Sequence, residues 1–79
     1  MQPPVTKPRH VVSLEWDAEA AVWTATSDSI PGLAMESGSL DALMERVRIG
    51  VPDLLEANRL PSGGFELLFH SERLEQVPS

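Results

Sequence analysis

Between Trp23 and Leu55 the chain joins a strand-like run, a Pro-Gly-Leu turn, a second short strand-like run and a long amphipathic helix signal. In so short a chain, that order leaves only a few α+β layouts in which one helix covers one face of a small sheet. The helix signal is the strongest part. At roughly 100° per residue, Leu40, Leu43, Met44, Val47, Val51, Leu54 and Leu55 fall within an arc of about 120°. Ser39 is the expected N-cap, with Asp41 in the first turn where the helix dipole favours an acid, and Asn58 suits the C-terminal cap. Pro52 removes one backbone bond, yet the apolar stripe stays in phase across Gly50 and Pro52. One kinked helix is therefore expected, not two.

The flanking segments read as strands. From His10 to Trp16 the residues alternate, with Val12, Leu14 and Trp16 on one face and Val11, Ser13 and Glu15 on the other. Asp17 to Ala21 is short enough for a hairpin loop, and Val22 to Ser27 is the returning strand. Pro31 and Gly32 fit a type II turn, with Gly32 at positive φ, and Leu33 to Glu36 forms a third strand. Phe65, Leu67 and Phe69 alternate with Glu66, Leu68 and His70 in a last strand.

The expected order is thus β-β-β-α-β, a small antiparallel sheet of three to four strands with the helix packed on one face. Val12, Leu14, Trp16, Trp23, Ala25, Phe65, Leu67 and Phe69 should meet Leu43, Val47, Val51 and Leu54. The other face should carry Ser13, Glu15, Thr24, Thr26, Glu66 and His70, with Val11, Val22 and Leu68 as apolar spots. Residues 10–70 are expected to make a single domain, flanked by tails over residues 1–9 and 71–79 that are expected to be flexible. At this length folding hides only roughly 60% of the surface of the unfolded chain, so an oligomer would add stability.

Charge and composition exclude several functions. Twelve acids against six bases give a net charge of −6, which disfavours direct contact with nucleic acid and suits a basic protein partner. The absence of cysteine removes disulfides and thiolate metal sites, and a cytoplasmic protein is expected. No apolar run approaches the roughly 20 residues of a membrane span.

The candidate chemical groups are sparse. His10 and His70 are considered as a general base or zinc pair, but polar neighbours near strand ends favour solvent-facing spectators. Glu15, Asp17 and Glu19, with Asp28 in the next loop, lack the spacing of a calcium loop. No serine lies in a G-x-S-x-G motif, and Gly63-Gly64 is not followed by the Lys and Ser or Thr of a phosphate loop. Trp16 and Trp23 read as core residues. Ile49 points away from the apolar stripe, among Glu45, Asp53 and Glu56. No catalytic, cofactor-binding or metal residue is assigned, and a non-enzyme is expected.

One resemblance adds to this. The run Trp16-Asp17-x-Glu19-Ala20-x-Val22-Trp23-x-Ala25-x-Ser27-Asp28-x-Ile30-Pro31-Gly32-Leu33, then Glu36, Leu40 and Val51-Pro52-Asp53-Leu54-Leu55-Glu56-x-Asn58, resembles a short bacterial family of unknown function grouped with the HicB-like antitoxins. The similarity covers residues 11–69. It implies a β-β-β-α-β core, a partial ribonuclease H-like fold, that occludes a small basic mRNA-cleaving toxin, HicA, and tends to form homodimers. Full HicB antitoxins continue into a DNA-binding segment. This chain stops about ten residues after its last strand, so none is expected here. The alternative expectation is a stand-alone homodimeric structural protein with only an ancestral relation to antitoxins.

Overall fold

The computed structural model describes residues 7–78. Four strands and one helix follow in the order β1 (Arg9–Asp17), β2 (Val22–Thr26), β3 (Ala34–Ser37), α1 (Leu40–Ala57) and β4 (Glu66–Glu72). The strands form one sheet with the order β3-β2-β1-β4. Of the tail expected over residues 1–9, residues 1–6 lie outside the described residues, and Arg9 already belongs to β1. Ser79 also lies outside them, and β4 runs two residues past the expected end at His70.

The α+β fold with one helix on one sheet face is as expected, but the sheet is mixed where an antiparallel one was expected. β1 pairs β2 and β2 pairs β3 antiparallel, while β1 pairs β4 parallel. The helix explains the difference. A hairpin reverses the chain, but a strand–helix–strand crossover brings it back in its original direction. β4 therefore runs parallel to β3, and so to β1, when α1 carries it across to the far edge of the sheet.

Alternation sets the two faces. Val12 and Leu14 on β1, with Trp23 and Ala25 on β2, are buried against Leu43, Val47, Val51 and Leu55 of α1. Leu55, not Leu54, completes the helix stripe, and Leu54 is half-buried beside it. Two further core residues come from the loop after β2: Ile30 is 1% exposed and Leu33 5%. The loop can enter the core because it closes a type II turn. The Leu33 N–H donates to the Ile30 carbonyl at 3.3 Å, and Gly32 takes φ +82°. Asn58 ties the turn to the helix end, its Nδ2 donating to the carbonyls of Pro31 at 3.3 Å and Leu54 at 2.8 Å.

The helix caps follow from sequence at one end and depart from preference at the other. The Ser39 hydroxyl accepts the Ala42 N–H at 3.2 Å, and the helix continues unbroken through Pro52 to Ala57. Its C-terminus closes as a Schellman motif, with Leu60 N–H donating to the Leu55 carbonyl and Arg59 N–H to that of Glu56. The residue that must turn left-handed is Arg59, at φ 56°, where glycine carries no Cβ penalty. Arg59→Gly is therefore expected to stabilise the fold by about 0.5–1 kcal/mol, after the gain in unfolded-chain freedom is subtracted. A urea melt at fixed chain concentration checks it through an upward shift in midpoint. Among the described residues no helix is long and apolar enough to cross a membrane.

Candidate functional site

Because α1 covers one side of the sheet, the other side faces solvent, and strand register arranges its side chains in rows. Thr24 is the register partner of both Glu36 and Glu15, and Glu15 is also the partner of Glu72. The row therefore reads Glu36, Thr24, Glu15, Glu72 across all four strands. Neighbouring strands lie about 4.8 Å apart, so three carboxylates occupy a band roughly 14 Å wide. All three are exposed, and among the described residues none has a cation within ion-pair distance.

The next rows change character. Ala34, Thr26, Ser13 and His70 form a neutral row, and beyond it Val11 sits beside Leu68. These last two are 45% and 49% exposed, an apolar centre on an otherwise polar surface. The sheet end is closed by Arg9, whose Nε and a terminal nitrogen both donate to Glu66 Oε2, at 3.0 and 2.9 Å. A depression of about 330 Å³ opens beside this end, lined by Arg9, Val11, Ser13, Asp28 and Ser29.

The two histidines do not meet. His70 lies on the open face, in register with Ser13, whereas the His10 position faces the helix side with Val12 and Leu14. His10 Nδ1 lies 2.7 Å from Ser29 Oγ, and its ring meets the edge of Phe65 with centroids 6.0 Å apart. A hydroxyl beside an imidazole is the first requirement of a nucleophile–base pair. Here the imidazole is wedged between loop and strand, and it holds the Ser27–Leu33 loop against β1. The carboxylates considered from sequence are also divided. The Asp17 carboxylate accepts the N–H groups of Glu19 and Ala20 to shape the β1–β2 hairpin. Asp28 lies beside Val11, about 20 Å away along β1 at ~3.3 Å per residue. Among the described residues no three His, Asp or Glu side chains converge to hold a metal ion.

Trp16 and Trp23 pair across the hairpin on the helix side, centroids 5.5 Å apart, and the Arg73 guanidinium stacks 4.1 Å from the Trp16 ring. Ile49 is 66% exposed on the outer face of α1, as its position opposite the stripe requires. The acidic row is not legible in the sequence. Strand parity puts Glu15 on the open face, but only register brings Glu36 and Glu72 level with it.

An open mixed four-stranded sheet covered on one side by a single helix defines a small α+β domain with one free face. The chain belongs to the DUF1902 family, described as a domain of unknown function, whose profile matches residues 9–77. It is also similar to a solved structure, the hypothetical protein TTHA1013 from the extremely thermophilic bacterium Thermus thermophilus. The two share 36% sequence identity and a TM-score of 0.73, over 87% of this chain and 99% of that one. No curated protein matches. Neither similarity names an antitoxin.

Proposed function

We infer that this protein is a non-enzymatic binding domain of the HicB-like type, which sequesters a small basic mRNA-cleaving toxin against the open face of its sheet. The acidic row carries the reading. Two carboxylates one strand apart repel by roughly 1 kcal/mol in water, and salt screens that only in part. Glu15 and Glu72 bear this repulsion with no described cation within ion-pair distance of either, and Glu36, two strands from Glu15, extends the negative band. A lysine- or arginine-rich surface laid on the row would turn the repulsion into attraction, and the Val11–Leu68 centre would add apolar contact. The net charge of −6 acts in the same direction by steering a basic partner from a distance. The separation of the two histidines, and the use of Asp17 to shape a turn, favour binding over catalysis.

The experiment is co-expression of this chain with the product of the adjacent gene. The expected result is that a small basic neighbour arrests growth alone and is silenced, and copurified, by this chain. The combined variant Glu15→Gln, Glu36→Gln, Glu72→Gln should weaken that complex at least about tenfold, because it removes three charges from the contact. A neighbour that is neither toxic nor captured, or a triple variant that protects as well as the parent, overturns the reading.

A further inference from the structure

We propose that β4 pairs with β4 of a second copy, antiparallel across a two-fold axis at Leu68, to make a continuous eight-stranded sheet. This dimer is argued from the edge strand and not from toxin binding, and Leu68 is the one residue it shares with the proposed toxin surface. The two edges of the sheet differ. β3 is four residues long, whereas β4 spans seven without a proline or lysine to block pairing. Among the described residues no strand pairs with the outer side of β4. The helix packs over β2 and β3, so Leu67 and Phe69 at the far edge stay only half-buried.

Backbone direction limits the registers available. The Glu66 N–H donates to the Pro8 carbonyl at 2.8 Å, so Glu66, Leu68, His70 and Glu72 aim their peptide groups inward at β1. By alternation Leu67, Phe69 and Ser71 aim theirs outward, and only these can pair with a second copy. Three symmetric registers satisfy that condition near the strand centre.

Side chains choose among them. An axis at Phe69 sets Glu66 opposite Glu72 of the second copy, twice over, and like charges directly opposite are destabilising. An axis at His70 sets Leu68 opposite Glu72. With the axis at Leu68, the two Leu68 side chains meet, Leu67 faces Phe69, and Glu66 faces His70. Glu66 uses only Oε2 toward Arg9 among the described residues, which leaves Oε1 to accept from an imidazole N–H. Glu72 then lies opposite Gly64, which carries no charge, and the acidic row is undisturbed. The third register is the complementary one.

The natural chain has no cysteine, so a single introduced thiol reads out the register. Facing residues of a non-hydrogen-bonded antiparallel pair have Cα atoms about 4.5 Å apart, inside the roughly 4.4–6.8 Å that a disulfide spans. His70→Cys, by contrast, would stand four residues from its own copy, roughly 14 Å away. The parent chain is expected to sediment as a dimer at micromolar concentration. Leu68→Cys should then crosslink under mild oxidation at least about tenfold faster than His70→Cys, as the two separations require. A strictly monomeric parent chain, or His70→Cys crosslinking as fast as Leu68→Cys, overturns the proposal.

Discussion

Trp23→Ala is expected to lower the stability of this domain by about 3–5 kcal/mol, the cost of emptying a large buried aromatic site. Trp23 is 9% exposed, and among the described residues no other side chain of its size lies in the core. Its loss also removes the tilted partner of Trp16, a pairing worth about 0.5–1.5 kcal/mol beyond area burial. Trp16 in turn supports Arg73, so the stacking that holds the start of the C-terminal segment should loosen as well. A chain of this length is stabilised by only about 4–12 kcal/mol in total, so the variant should be substantially unfolded when warmed. Far-UV circular dichroism in urea, at one chain concentration, gives the measurement without relying on the fluorophore that was removed. A loss below about 1 kcal/mol would mean that the site is not packed as described.

Ile30→Ala should cost nearly as much, about 2–5 kcal/mol, although Ile30 lies in a loop. A loop residue exposed to water would cost less than about 0.5 kcal/mol on truncation. Ile30 is 1% exposed, and its position is fixed from three directions: the turn bond to Leu33, the positive φ of Gly32, and the Asn58 tether to Pro31. The surroundings cannot collapse freely into the vacated space, which places the cost high in the range. Leu43→Ala, a buried helix residue, is the reference. Equal shifts in urea midpoint would show that the loop belongs to the core, and a near-neutral Ile30→Ala would show that it does not.

These two residues mark what was legible in the sequence. Trp23 could be placed because strand parity is local: Trp16, Trp23 and Ala25 sort to the helix side once the hairpin is recognised. The helix was equally open, since its period, its Ser39 cap and its Asn58 end are all short-range signals. Ile30 was not legible, because a turn residue becomes core only when the helix end lies over it, and that is a long-range fact. The direction of β4 follows from the helical crossover, which hydrophobic alternation does not encode. The acidic row is the furthest from sequence. Glu15, Glu36 and Glu72 lie on three different strands, and a shift of two residues in any of the three strand pairings would preserve the faces and dissolve the row.

The open face as a docking surface for a basic partner is tested most directly by mapping where such a partner binds. Backbone amide signals of the labelled chain would be followed while the product of the neighbouring gene is added. Shifts concentrated at Val11, Ser13, Glu15, Thr24, Glu36, Leu68 and Glu72 are expected, with the outer helix face around Ile49 unchanged. Shifts confined to the Ile49 face, or no shifts at all, would contradict it.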